Sequence, residues 1–298
     1  MNDPEIDEEL VRSLLREQHP DLSGLGLRQA AVGWDNELWR LGDRLAVRLP
    51  HATERASSLL RKEYRWLPVL APDLPLPVPT PVRIGEPSAR FPKSWTVATW
   101  VPGEPGDRDP ISRGSHAADA LAGFLRALHR PAPADAPVNP DRGVPLKTLT
   151  PGFDKGLRAA AAEGVDPAVR DVWDEAVAAP AWEGAPVWLH GDLHPANVVV
   201  LDGTLSGVID FGELCAGDPA TDLAAAWLLL PEGAAARFFD AYAHADEAMI
   251  RRARGWAVRS CLGLISVGAA GDRGLPGGKP TWGAAGRRAL ERVLAFSR

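Results

Sequence analysis

The sequence predicts an α+β protein of two lobes: a small antiparallel-sheet lobe first, then a larger and mainly helical one. Three observations carry that expectation. Between residues 25 and 101, short apolar runs alternate with turn residues, as strands and their connections do. Beyond residue 115 the apolar residues recur three and four apart, which is helical spacing. The chain has 298 residues, 45% of them hydrophobic, enough for two lobes with full cores and too apolar for wholesale disorder.

The elements follow in order. Ile6 to Gln18 carries apolar residues at 6, 10, 11, 14 and 15, a helical stripe. Leu25 to Val32, Glu37 to Leu41, Arg44 to Leu49 and Val82 to Gly85 read as short strands. Ser57 to Leu70 reads as a helix, closed by the proline-rich Ala71 to Pro81. Trp95 to Val101 is an apolar strand stopped by Pro102-Gly103, which sets the lobes at 1–101 and 102–298. In the second lobe, Ser115 to His129 has apolar residues at 117, 121, 124, 125 and 128. Pro131 to Pro151 is rich in proline and polar residues and is expected to be a long loop, functional or mobile. Further helices are expected over Pro167 to Ala178, Asp222 to Leu230, Ala234 to Ala243, Ala248 to Val267 and Ala284 to Phe296. Pro186-Val-Trp-Leu, Val198-Val-Val-Leu and Val208-Ile read as strands around polar loops. There is no internal repeat.

Composition excludes several classes. Cys215 and Cys261 are the two cysteines, too few for a disulfide framework or a four-cysteine zinc site, and suited to a reducing cytoplasm. The acidic start, Met-Asn-Asp-Pro-Glu-Ile, has no apolar h-region, and no apolar run is long enough to span a bilayer. The expectation is a cytoplasmic protein without a membrane partner. No interleaving of aromatic and basic residues suggests nucleic acid. Net charge is −6, but residues 102–250 hold 10 basic and 23 acidic side chains, and residues 251–298 hold 10 basic and 2 acidic. Either the acidic middle attracts a cationic substrate or the basic tail packs against it.

The densest signal is His190-Gly-Asp-Leu-His-Pro-Ala-Asn197, followed by Ile209-Asp-Phe-Gly212. Asp192, Asn197 and Asp210 fall at intervals of five and thirteen residues. Chemistry at a nucleotide's terminal phosphate needs such a trio: one carboxylate to receive a hydroxyl proton, and an amide and a carboxylate oxygen to hold magnesium. Turns alone need glycine and aspartate but not the co-spaced asparagine. A metal pair of His190 and His194 on a helix is disfavoured by Pro195 and by the lack of a third nitrogen or sulfur ligand nearby in sequence.

With Gly217-Asp-Pro-Ala-Thr-Asp222-Leu-Ala after it, this stretch resembles the aminoglycoside phosphotransferase family of small-molecule kinases, which shares its fold with choline kinases and protein kinases. The match is dense over residues 186–225 and thinner elsewhere. The resemblance implies a two-lobed, protein-kinase-like fold and a magnesium-dependent transfer of phosphate from ATP or GTP to a small hydroxylated molecule. Asp192 would be the base, Asn197 and Asp210 the magnesium ligands, and His190 and Asp222 supports of the catalytic loop. Asp222 also reads as a helix N-cap. His194 stands where protein kinases carry a phosphate-touching lysine. Glu213 would border the acceptor.

The first lobe resembles the family less. Gly33-Trp-Asp-Asn-Glu-Leu-Trp-Arg-Leu-Gly42 stands in place of the glycine-rich phosphate loop but lacks its glycine spacing. Either Asn36 offers an amide to phosphate beside Gly33, or the segment is a plain hairpin. Arg48 replaces the family's strand lysine, keeps its charge and would bind phosphates with Glu63 as partner. Thr99, Trp100 and Val101 lie in what would be the hinge, where backbone groups would pair with adenine or guanine. Gly274-Leu-Pro-Gly-Gly-Lys-Pro-Thr281 is no phosphate loop, because Arg273 takes the first glycine position and Pro280 follows the lysine.

The leading expectation is a small-molecule kinase, acting on an aminoglycoside-type antibiotic, a macrolide, or a metabolic amino alcohol or sugar. A nucleotide-binding protein without useful catalysis is the rival, motivated by Arg48 and the degenerate phosphate loop. A protein kinase is disfavoured, because Gly217-Asp-Pro follows within five residues of Gly212 and leaves no room for an activation loop.

Overall fold

The computed structural model describes residues 5–33, 36–51 and 54–296. Two compact units emerge: Met1–Val101 with Ile209–Gly212, and Pro102–Val208 with Glu213–Arg298.

The first unit opens with helix α1 (Glu8–Gln18), started by Asp7, whose carboxylate accepts from Leu10 N–H at 2.8 Å. Its stripe buries Val11, Leu14 and Leu15 completely. These meet Trp39, Leu41, Val47, Leu49, Trp95 and Val97 from the sheet and Phe91 from the connection before β5 in one core. The strands are β1 (Leu27–Val32), β2 (Asn36–Leu41), β3 (Leu45–Pro50), β4 (Pro81–Gly85) and β5 (Trp95–Thr99), with helix α2 (Glu54–Leu70) between β3 and β4. Among the described residues they form a five-stranded sheet in the order β1-β2-β3-β5-β4, each pair antiparallel. Strand β3 is central, which explains why five of its six residues are buried and why Arg48 among them needs a partner.

The second unit contains β6 (Glu104–Pro105), α3 (Gly114–Leu128), α4 (Thr150–Ala161), α5 (Val169–Ala178), β7 (Val187–Leu189), β8 (Val198–Leu201), β9 (Thr204–Val208) and β10 (Cys215–Gly217). After them come α6 (Ala220–Leu223), α7 (Ala225–Leu228), α8 (Ala234–Tyr242), α9 (Glu247–Asp272) and α10 (Pro280–Ala295). Helix α9 is the spine, contacting α4, α5, α6, α7 and α10. Asp246 caps it through Met249 N–H at 2.7 Å. Strands β8 and β9 form a hairpin edged by β6, and β7 pairs with β10. The segment joining β7 to β8 is the His190–Asn197 loop.

The second unit departs from the sequence reading at α4 and around Asp222, and its short strands β6 and β10 were not expected. The expected loop of residues 131–151 ends in a helical turn at Leu146–Leu149 that runs into α4, which the periodicity did not predict. Pro151 sits in the first turn, where its missing N–H costs nothing, and Gly152 and Gly156 disguise the rest. The rest of that segment is stitched down: Ala132 N–H donates to Pro186 O, Ala216 N–H to Pro137 O, and Asp218 N–H to Gly143 O. The single helix expected from Asp222 is two short ones, beginning at Ala220, so Asp222 lies inside a helix and caps none. The basic tail packs against the acidic middle. Arg252 meets Asp218 at 2.7 Å, Arg254 meets Glu175, and Arg273 and Arg287 meet Glu163.

Candidate active site

In the second unit, the chain leaves buried β7 and turns at Gly191. Its φ is +83°, and a side chain there would lie 2.7 Å from Glu213 O. Only glycine fits both constraints. The turn is held from below by Asp222, which is 1% exposed. One carboxylate oxygen accepts from His190 N–H at 2.7 Å, and the other from Gly191 N–H at 2.9 Å. His129 Nε2 lies 3.3 Å from the same carboxylate, and Tyr242 OH meets His129 Nδ1 at 2.8 Å. Burial and the nearby carboxylates of Asp222 and Asp218 push the Tyr242 phenol well above its ordinary value, so it stays neutral in this network. The order Tyr242–His129–Asp222–loop is a buried, hydrogen-bonded support. Sequence reading missed His129 and Tyr242, which lie 93 residues before and 20 after Asp222.

The loop's own side chains fold inward. Buried His190 accepts Asp192 N–H on Nδ1 at 3.2 Å. His194 accepts Ala196 N–H on Nδ1, so its proton sits on Nε2, which faces Asp192 Oδ2 at 3.5 Å. Asn197 Nδ2 donates to Asp192 O at 2.9 Å and approaches Asp192 Oδ2 at 3.3 Å. Asp192 and Asn197 are thus locked to each other. Burial alone would raise the Asp192 carboxyl. The hydrogen bond from His194 and the charge of Arg142 overcome that and hold it well below the usual carboxylate range.

Arg142 is the principal residue that sequence reading missed here. Its guanidinium meets Asp192 Oδ1 at 3.0 Å across fifty residues of chain. Gly143 explains its placement: φ is +69°, its N–H donates to Thr221 Oγ1, and a side chain would strike Leu189 and Gly217. The turn sequence Pro140-Asp-Arg-Gly143 was the available signal. Glu213 accepts a hydrogen bond from Asn139 of the same segment.

In the first unit, Arg48 on β3 forms a buried ion pair with Glu63 on α2. Burial works against the charge on Arg48, but Glu63 and then Asp210 outweigh it and raise its pKa. Burial and the Asp210 charge push the Glu63 carboxyl upward against the pull of Arg48. Asp210 Oδ1 lies 3.9 Å from Arg48. Asp210 itself has φ +60°, a left-handed conformation uncommon outside glycine that aspartate adopts more readily than most residues. Gly33 N–H donates to Asn36 O, closing β1 onto β2, and Asn36 Oδ1 is buried without a partner among the described residues. Trp34 and Asp35, the middle of the segment standing in for a phosphate loop, lie outside the described residues. At the end of β5, Thr99 N–H is spent on Thr80 O and Trp100 N–H on Arg44 O. Val101 keeps an N–H unpaired among the described residues.

No cluster of three or more His, Cys, Asp or Glu side chains that could hold a metal occurs among the described residues. Magnesium needs fewer, because it keeps waters and takes oxygens from phosphates. Asn197 spends its Nδ2 on Asp192, which leaves Oδ1 without a partner among the described residues. Asp210 is a half-exposed carboxylate. Each by itself is a hard oxygen donor of the kind that magnesium takes.

Comparison with known proteins gives this geometry a context. The family model described as "phosphotransferase enzyme family" matches residues 26–256. An aminoglycoside 3'-phosphotransferase of Escherichia coli is 32% identical over 146 residues, 47% of this chain and 54% of the relative. The match thus spans about half the length of that curated relative. The structure of an aminoglycoside 2'-phosphotransferase bound to GDP superimposes with TM-score 0.70 at 20% identity, covering 97% of this chain and 99% of that one. A macrolide 2'-phosphotransferase of Brachybacterium faecium gives TM-score 0.61 at 23% identity, covering 93% and 97%. At these identities the structural likeness establishes the fold.

Proposed function

Because the chain belongs to the phosphotransferase enzyme family, we propose that it moves the γ-phosphate of ATP or GTP to a hydroxyl of a small molecule. The observation that carries the proposal is the Asp192–Asn197 couple, held by Asp222 through two backbone N–H groups. A group that takes the hydroxyl proton must be aimed, and this loop has little freedom to aim elsewhere.

The chemistry assigns each residue a task. Asp192 accepts the acceptor hydroxyl's proton as that oxygen bonds to the γ-phosphorus. The bond from the γ-phosphorus to its bridging oxygen breaks, and the nucleoside diphosphate leaves. Arg48, braced by Glu63, neutralises phosphate charge from a buried position where a cation acts at low dielectric. Asn197 and Asp210 would hold magnesium, which when bound supplies positive charge to the phosphate oxygens. Arginine in place of lysine presents two-pronged donors on a planar head. Of the three residues at the end of β5, Val101 retains the N–H that a base edge would use.

Consumption of ATP and GTP by purified protein, with magnesium and a panel of aminoglycosides, macrolides, amino alcohols, sugars and hydroxy acids, tests the proposal. Acceptor-stimulated consumption abolished by chelator is expected. Nucleotide binding with no stimulation by any acceptor favours a binding protein without catalysis.

A further inference from the structure

We propose that Arg142, backed by Arg259, forms the acceptor's recognition site and selects a hydroxylated molecule bearing a carboxylate; this rests on the phosphotransferase reading above. The argument starts from Asp192. Its Oδ1 is held by Arg142 at 3.0 Å, and its Oδ2 faces Asn197 and His194 at 3.3 and 3.5 Å. Oδ1 keeps a second lone pair, but a carboxylate held by a guanidinium is a weaker base toward a hydroxyl proton than one released from it, so the base strengthens when Arg142 lets go. The guanidinium lets go at least cost when another carboxylate replaces the one it holds, because the exchange keeps a charge-assisted hydrogen bond. An acceptor carboxylate does this like for like, and it frees Oδ1 only when the acceptor has arrived.

Arg259 supports the assignment. It lies on α9, half-buried, within electrostatic reach of Arg142, Asp141 and Asp192. Its neighbours on that helix have partners: Arg252 pairs with Asp218, and Arg254 with Glu175. Arg259 has none among the described residues except the Trp256 ring, 5.6 Å from its guanidinium carbon. Burial lowers its pKa first, and the charge of Arg142 lowers it further. One guanidinium is paired with Asp192 and the other has no hydrogen-bonded or ion-paired partner among the described residues, which gives this face positive charge that an anion can answer. The acids on this face are Asp141, which is exposed, and Glu213, which is held by Asn139. Three acids of the middle segment, Asp218, Glu175 and Glu163, pair with Arg252, Arg254, Arg273 and Arg287 of the basic tail.

In the step that follows, the acceptor hydroxyl gives its proton to Asp192 Oδ1 and its oxygen bonds to the γ-phosphorus. The bridging P–O bond breaks and the nucleoside diphosphate departs with that electron pair. Arg142 and Arg259 neither gain nor lose protons; they hold the acceptor's carboxylate.

The test is calorimetric titration of the full chain, with magnesium and a non-hydrolysable nucleotide, against glycerate, serine, glycerol, ethanolamine and kanamycin. Phosphotransfer to each is followed separately with ATP and GTP. Glycerate and serine should bind about tenfold more tightly than glycerol and ethanolamine, which lack the carboxylate. Arg142→Gln should erase that preference, Arg142→Lys should keep part of it, and Arg259→Gln should weaken carboxylate binding severalfold. Thermal melts of each variant check that it folds. Tighter binding of ethanolamine or kanamycin than of the carboxylates overturns the assignment. So does a preference that survives Arg142→Gln, or no binding of any carboxylate. If the carboxylates bind as stated and nothing is phosphorylated, the recognition site stands and the phosphotransferase reading falls. Kanamycin phosphorylated equally well by Arg142→Gln would mean the reverse.

Discussion

Asp222 is where the fold and the chemistry meet, and Asp222→Ala should damage both. The carboxylate is 1% exposed and serves two backbone donors, His190 N–H at 2.7 Å and Gly191 N–H at 2.9 Å. Removing it orphans both in a place water does not reach. An unsatisfied buried donor costs about 1–3 kcal/mol, so the pair comes to about 2–6 kcal/mol. His129, 3.3 Å away, loses its acceptor as well. Against a typical total stability of about 5–15 kcal/mol this is a large fraction. Urea denaturation should show the midpoint falling with the slope unchanged. Asp222→Asn keeps one acceptor oxygen but sets an amide N–H against a backbone N–H, and should recover at most half the loss. Phosphotransfer should drop about a hundredfold in either variant that stays folded, since a displacement of about 1 Å at a catalytic group costs that much. If Asp222→Ala loses less than about 0.5 kcal/mol, a bound usual for surface changes, the support reasoning is wrong.

Three other outcomes follow from the same structure. Gly191→Ala should cost about 1–2 kcal/mol for its positive φ and about 1–3 kcal/mol more for the contact with Glu213 O, with turnover lost before nucleotide binding; a melting curve and a nucleotide titration decide it. Glu63→Gln leaves Arg48 buried with only Asp210, 3.9 Å away, and should cost about 3–5 kcal/mol and weaken nucleotide binding about tenfold by calorimetry. Burial pushes the Cys261 thiol up to about 12, so it should resist alkylation at pH 9 in the folded protein. An exposed thiol in the unfolded chain loses its proton near pH 8.5. Between there and 12 the unfolded state binds fewer protons than the native one, so stability falls as pH rises, by up to about 1.4 kcal/mol per pH unit. Cys261→Ala should flatten that alkaline slope in denaturation curves.

What could be read in the sequence was what is local. The His190–Asn197 and Ile209–Gly212 segments announce themselves because their residue types sit within a few positions of one another. The five strands of the first unit were legible from apolar runs between turns, and α1, α3, α5 and α8 from their stripes. Helix α4 was hidden because Pro151, Gly152 and Gly156 imitate a loop, although a proline in the first turn is harmless. Strands β6 and β10 are two and three residues long, too short for any period to show. Asp222 read both as a support of the loop and as a helix cap, because buried acceptors and caps use the same residue types; it lies inside a helix with its carboxylate on the His190 and Gly191 N–H groups. Arg142 and His129 reach their partners across 50 and 93 residues. No spacing rule covers such distances, and tertiary packing alone brings those groups together.

The measurement that bears most directly on the central claim is phosphate transfer from γ-labelled nucleotide to a responsive acceptor by Asp192→Asn, with the nucleotide dissociation constant measured on the same sample. Transfer should fall by at least about a hundredfold while nucleotide affinity stays within about twofold, because the base acts in the transition state and does not bind the nucleotide. Transfer at the wild-type rate in a folded, nucleotide-binding Asp192→Asn would contradict the account.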